Sequence, residues 1–271
     1  MKIDINCKSC AKEGACVNIC PFRVFEIEGK NCPKPASPER CMKCFQCVAF
    51  CPRGAITIDG IGSNDCEQVI AENDATAEQV IQLLKSRRSV RNFQEKEIPG
   101  ALVSELVDVI RWAPSAMSSH LVEWIVVSGK EKVKALSFLA IEWMRQQLLE
   151  TPEQAKNYYF DKIVDAFENK NIDMIAREAP HVIFAHAKED SAPWLEEDAA
   201  TALTYLEIAA HGNKLGTCRC GLLATPANFH APIRAKINLP EGHKIYGCVL
   251  LGYPKYKFKR IPPRDKAKVT Q

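Results

Sequence analysis

The segment CMKCFQCVAFCPRGAI, residues 41–56, sets four cysteines at intervals of three, three and four residues and follows the last with proline. Thiolates are soft ligands that select zinc, copper(I) or iron–sulfur clusters. Spacings of two, two and three intervening residues, closed by Cys-Pro, suit a [4Fe–4S] cube. Three thiols in a tight loop point at one cube, and the fourth is aimed away at another. Zinc prefers close pairs separated by a longer loop and has no use for a trailing Cys-Pro. An earlier stretch, Cys7, Cys10, Cys16 and Cys20-Pro21, ends the same way but has five residues between its second and third thiols.

Ten of the thirteen cysteines fall within residues 1–66, and only Cys218, Cys220 and Cys248 lie beyond. A disulfide framework would need an oxidising compartment, so metal ligation is the better reading of the front end. Cys32 and Cys66 stand outside the pattern and are read as non-ligands, with a substitute ligand as the alternative. The three later cysteines are read as core residues. No run of eighteen apolar residues occurs, which argues against a membrane span. The first residues, MKIDINCKSC, lack the apolar stretch of a secretion signal, so the cytoplasm is expected. The formal net charge of +3 is too small to suggest nucleic-acid binding.

Composition changes near residue 66. Residues 67–79, EQVIAENDATAEQ, open as a polar linker. A helix then begins with Thr76 and Gln79 in capping-box register, and Val80, Ile81, Leu83 and Leu84 form its apolar face. Further helices are expected over 101–112, 131–149, 154–169 and 195–214, and strands over 122–128, 181–187 and 245–251. In the front segment, short strands should follow each Cys-Pro, within RVFEIEG and AITIDG. Helices outnumber the widely spaced strands, which implies one sheet covered by helices.

Over residues 1–60 the front segment resembles a two-cluster ferredoxin. The resemblance implies crossed ligation of two [4Fe–4S] clusters. Cys7, Cys10, Cys16 and Cys51 would hold one, and Cys20, Cys41, Cys44 and Cys47 the other. The long Cys10–Cys16 gap departs from the family pattern. Such clusters carry single electrons, so the larger part should hold a cofactor that converts single electrons into pairs, and flavin fits that need.

No Gly-x-Gly-x-x-Gly follows an expected strand and no phosphate loop occurs, which disfavours a dinucleotide fold. SRRSVRNF, residues 86–93, instead gathers arginines and a serine behind the first large-domain helix. With RWAPSAMSSH (111–120), GTCRCG (216–221) and LGYPKYKFKRIPPR (251–264), it resembles the nitroreductase family of FMN enzymes across residues 77–271. The fold implied is α+β: a small ferredoxin domain, 1–66, and a nitroreductase-type α/β domain, 77–271, with a central, mainly antiparallel sheet covered by helices.

The resemblance also implies site roles. Arg87, Arg88 and Ser89 would bind the FMN phosphate and ribityl chain, with Arg91 at the pyrimidine edge. Pro114, Ser115 and Ser118 would reach FMN from the partner subunit. Gly221, with Cys220, would bring a backbone N–H to the ring, and Lys257 and Arg260 would close on the phosphate. His120 is read as a surface or packing residue rather than a proton donor. A homodimer with FMN at the interface is implied, with a small-molecule electron acceptor. The donor would be a ferredoxin, a flavodoxin or NAD(P)H. The rival readings are an NAD(P)H-driven reductase with the clusters as secondary carriers, a redox sensor without turnover, and a flavin enzyme of another reductive task such as dehalogenation.

Overall fold

The computed structural model describes residues 1–270. The chain divides into two compact units, Met1–Asp74 with Met117–Ser119, and Ala75–Ala116 with the chain from His120 onward.

The first unit is built from very short elements: β1 (Ile3–Ile5), α1 (Ala15–Ile19), β2 (Phe25–Glu26), β3 (Lys34–Pro35), α2 (Gln46–Phe50) and β4 (Ile56–Ile58). β1 pairs antiparallel with β4, setting Ile3 opposite Ile58 and Ile5 opposite Ile56, and β2 pairs antiparallel with β3. The strands expected behind each Cys-Pro are β2 and β4. β1 was not anticipated, because three residues among polar neighbours carry no readable alternation. Ile3, Val24, Phe25, Val48, Ile56 and Ile58 form the core with the Cys47 side chain.

The second unit runs α3 (Ala77–Ser86), α4 (Gly100–Val109), β5 (Glu123–Ser128), α5 (Lys130–Glu150), α6 (Pro152–Asn157), α7 (Phe160–Asn169), β6 (His181–Lys188), α8 (Leu195–Gly212), β7 (Gly216–Arg219), α9 (Gly221–Phe229), α10 (Ala231–Lys236) and β8 (His243–Gly252). Its sheet has the order β5-β6-β8-β7, and every pairing is antiparallel. Side chains alternate across a strand, so β6 feeds two cores. Val182 and Phe184 pack with α5, α7 and α9, whereas Ile183 and Ala185 pack with α4 and α8. Both sheet faces are thus covered by helices, as the sequence implies. Among the described residues no helix is long and apolar enough to cross a membrane.

Three local features differ from the sequence expectation. The capping box of α3 forms: Gln79 N–H donates to Thr76 Oγ1 at 3.2 Å and Thr76 N–H to Gln79 Oε1 at 2.9 Å. Yet the apolar face of that helix is not buried within the chain, since Val80, Ile81 and Leu84 are 43%, 49% and 55% exposed. The helix expected over 154–169 is two helices, broken where Tyr159 adopts a left-handed φ of 59°. β7 and α9 were missed because β7 has four residues and α9 carries Pro226 in its interior.

At one end of the sheet Glu123, His186 and His243 gather with their ligand atoms within 4.8 Å of one another, and His186 Nδ1 lies 3.0 Å from His243 Nδ1. Burial holds His186 below the usual imidazole range, with Glu123 opposing and His243 reinforcing the shift. Burial lowers His181 as well. A histidine depressed in the folded state contributes stability that is complete above its unfolded pKa. Unfolding free energy should therefore fall as pH drops below about 6.5, and urea titrations on His186→Gln should show a shallower acid limb. Phe184 is fully buried, so Phe184→Ala should cost about 3–5 kcal/mol in the same measurement.

Candidate functional site

The first unit gathers its thiols in two sets. Cys20, Cys41, Cys44 and Cys47 line one cavity with Phe22, Phe25 and Ile58. Cys10, Cys16 and Cys51 line a second with Ile5, Gly14 and Ile56, and Cys47 stands on the wall of both. The last cysteine of each motif thus joins the other motif's set. Burial pushes the Cys47 thiol up to about 12, reinforced by Cys44, Cys41 and Cys20. Burial also raises Cys16, with Cys10 and Cys51 acting the same way. Thiols that oppose one another's ionisation are stabilised as thiolates when a cation takes up the charge, so the donor sets fit iron–sulfur clusters.

Cys7 departs from the expected ligand set. Its Sγ is bonded to that of Cys32, with the two Cα atoms 5.5 Å apart. A disulfide sulfur is not a thiolate, so this pairing removes Cys7 from the ligands of the first cavity. It also gives Cys32 a partner where the sequence suggested an idle thiol.

In the second unit the stretch after α3 is threaded beside the sheet. Ser89 bridges Thr217 of β7, and Val90 N–H donates to Thr217 O at 2.8 Å. Further on, Gln94 N–H donates to Tyr253 O at 2.8 Å and Lys255 N–H to Asn92 O at 2.9 Å. Two glycines permit this close approach. A Cβ on Gly216 would meet Val90 Cγ2 at 2.6 Å, and one on Gly252 would meet Phe93 Cδ1 at 2.6 Å. Arg87, Arg88, Ser89 and Arg91 are thereby brought along β7, next to the root of the basic tail that carries Lys257 and Arg260. Both tail residues are exposed.

Glu207 of α8 organises the charges behind this stretch. It is 92% buried as a side chain (8% exposed) and lies 3.4 Å from Arg87 Nη1 and 3.0 Å from Arg219 Nε. Arg219 also donates to Ala200 O and Thr204 Oγ1, both at 3.1 Å. Burial raises the Cys218 thiol, while Arg91 and Arg177 pull it back down. Arg177 was not singled out from the sequence. It stands in REAP with no periodic signal, and its left-handed φ of 57° becomes visible only in the fold.

Ala116 is held at another point of α8. Ala116 N–H donates to Asp198 Oδ1 at 2.9 Å, and His120 N–H donates to Ser115 Oγ at 3.1 Å. Met117, Ser118 and His120 all have positive φ. Asp198 and Glu207 are nine residues apart, about 13 Å along the helix. Within one chain, Ala116 and Arg87 are therefore held at separate points of α8.

Cys220 caps α9, and its thiol donates to Ile175 O at 3.4 Å inside the core. Cys218 and Cys248 are buried with it, as expected. Gly221 is exposed, with nothing within 4 Å of a Cβ built there, and it stands at the wall of a cavity of about 740 Å³. The first backbone N–H groups of a helix lack intrahelical partners, so α9 presents donors there. Trp143, Tyr158 and Phe160 line the same cavity. Trp143 and Phe160 are buried and meet edge-on at 5.5 Å, as core packing partners. Tyr158 and Tyr159 are each 61% exposed.

The Nitroreductase family model matches residues 84–253. A Methanothermobacter thermautotrophicus protein, named provisionally as an NADH dehydrogenase/NAD(P)H nitroreductase, is 23% identical over 178 residues, covering 65% of this chain and 77% of that one. An uncharacterized ferredoxin of Methanocaldococcus jannaschii is 43% identical over 53 residues, covering 20% of this chain and 82% of its own. Among solved structures, a nitroreductase with bound FMN from Bacteroides fragilis matches with a TM-score of 0.54 at 23% identity, covering 71% of this chain and 97% of that one. The chain belongs to the nitroreductase family and carries a ferredoxin domain at its front.

Removing the carboxylate that two arginines share should be felt directly. Glu207→Ala should cost about 1.5–3 kcal/mol, the range for hydrogen bonds to charged groups. Partial exposure of Arg219 keeps the loss below that of a fully buried pair. Thermal or urea unfolding checks it, with Glu207→Gln expected to recover part of the loss.

Proposed function

We propose that the chain is an iron–sulfur flavoprotein oxidoreductase in which residues 1–66 bind two iron–sulfur clusters and residues 77–271 bind FMN. Electrons would enter singly at the front unit and leave as a pair to a small organic acceptor, a nitro compound or another reducible molecule. The observation that carries the reading is the coexistence in one chain of two crossed thiol sets and an arginine-rich stretch threaded beside β7. FMN supplies the exchange between single electrons and hydride equivalents.

The residues would divide the work as follows. Arg87, Arg88 and Ser89 hold the phosphate and ribityl chain, because guanidinium groups give directional contacts to phosphate and keep their charge. Arg91 sets a cation beside the pyrimidine edge, where negative charge on the reduced ring is stabilised. The exposed Gly221 at the head of α9 allows a backbone N–H to approach the ring, with the Cys220 thiol turned into the core. Lys257 and Arg260 close on the phosphate from the tail. The acceptor enters the cavity bounded by Trp143, Tyr158 and Phe229.

A homodimer with FMN at its interface accounts for three further features. The apolar face of α3 is exposed, Phe229, Tyr256 and Phe258 are 74%, 64% and 62% exposed, and Ala116, next to Ser115, is held by Asp198 about 13 Å along α8 from the Glu207 that holds Arg87. Pro114, Ser115 and Ser118 would then complete the site of the second copy.

Anaerobic purification with iron, sulfide and flavin analysis, followed by reductive titration, tests this reading. Stoichiometric FMN and two reducible clusters per chain are expected, whereas a preparation lacking either pigment under oxygen-free conditions removes it. Arg87→Ala should weaken FMN binding by roughly 10- to 100-fold, the equivalent of one charge-assisted contact. Flavin fluorescence titration of the deflavinated protein measures that loss.

A further inference from the structure

The two halves of the ferredoxin unit superimpose in sequence at an offset of thirty-one residues, and the backbone follows the same register. α1 (Ala15–Ile19) corresponds to α2 (Gln46–Phe50). Left-handed residues recur at matching places: Lys12 with Lys43, Gly14 with Phe45, and Arg23 with Gly54. Val24 N–H donates to Cys20 Sγ at 3.4 Å, and its counterpart Ala55 N–H donates to Cys51 Sγ at 3.2 Å. In this register Cys10, Cys16 and Cys20 are the equivalents of Cys41, Cys47 and Cys51.

The register leaves one mismatch. Residue 13, the equivalent of Cys44, is glutamate. Glu13 lies between two residues with positive φ, Lys12 and Gly14, as Cys44 lies between Lys43 and Phe45. It lines the cavity of Cys10, Cys16 and Cys51, as Cys44 lines the cavity of Cys20, Cys41 and Cys47. The register equivalent of Cys7 is Pro38, outside the second motif, and Cys7 itself is paired with Cys32. The five-residue gap between Cys10 and Cys16 is therefore no insertion. It is the ordinary spacing with its middle thiol replaced.

We propose that the first cluster is held by three thiolates, Cys10, Cys16 and Cys51, with the Glu13 carboxylate at the fourth corner, so that one iron of this cluster is exchangeable. This inference rests on the reading of the front unit as a cluster-binding domain. A carboxylate oxygen is a hard ligand, suited less well than thiolate to an iron–sulfur core, and Glu13 is exposed to solvent. The exchange involves one electron each way, removed by a one-electron oxidant such as ferricyanide and returned by a one-electron reductant such as dithionite. A neutral three-iron core that takes up one Fe²⁺ becomes a four-iron core of charge +2. Oxidation by one electron with release of Fe²⁺ returns a three-iron core of charge +1. The second cluster, with four thiolates, holds its iron under the same conditions and serves as the internal reference.

The test uses the full chain, purified without oxygen and treated with ferricyanide under chelation. Wild type should release roughly one iron per chain and show the EPR signal of one oxidised three-iron cluster. Glu13→Cys should retain that iron and show no such signal, and Glu13→Ala should show the signal before any oxidant is added. Cys7→Ser and Cys32→Ser should keep the iron content and signal of wild type. A four-iron first cluster in wild type that resists the oxidant, or loss of about half the iron in Cys7→Ser, overturns the proposal while leaving the two-cluster reading in place. Absence of iron from both sites removes the cluster reading itself, and this proposal with it.

Discussion

The constraint on which the front unit depends is that its apolar core is too small to hold it together. Six aliphatic and aromatic side chains and Cys47 make up the buried cluster, and the strands around them have two or three residues each. Domains of this size generally need metal, disulfide or partner surface to offset the entropy of ordering the chain. In the proposed reading the thiol sets, with clusters bound, would be the additional support. Crossed sets tie each motif's last cysteine to the other motif, so binding in either cavity fixes both halves at once. With clusters bound as proposed, folding free energy and cluster-binding free energy would be largely one quantity in this unit.

The second unit meets the opposite condition. β6 is buried on both faces, and helices cover the sheet on both sides. A sheet closed in this way leaves no face for a ligand. Polar chemistry is displaced to segment ends, where 87–94 runs against β7 and the exit of β8, and where α9 starts beside the large cavity. Glu207 pins the arginines there from the α8 side, holding them in a defined direction at the cost of one buried carboxylate.

Much of this was legible from residue types. The cysteine spacings reported the thiol sets because ligand geometry demands fixed intervals, and the long periodic segments reported α4, α5 and α8 because burial demands a repeating face. The antiparallel strands were readable as short β-branched runs. What escaped had short-range or non-local causes. β7 is too brief to show alternation, and Tyr159 breaks a helix through a backbone angle that its side chain does not announce. Arg177 joins Arg91 near Cys218 only through the fold. The Cys7–Cys32 pair was hidden because counting thiols from the first cysteine gave a plausible motif. Counting back from Cys20-Pro21 aligns the repeat, since the helix and the proline fix that end.

The exposed apolar stripe of α3 connects these observations. A helix with a complete capping box is locally well specified, yet marginal in isolation unless its apolar face packs against something. Val80, Ile81 and Leu84 stay about half exposed within the chain, while the stretch that follows directly carries Arg87, Ser89 and Arg91. A second copy that covers α3 would therefore order the helix and, through its last turn, the arginines that follow it. Dimer formation and cofactor binding would then be linked by a common element, each raising the apparent affinity of the other by the same factor.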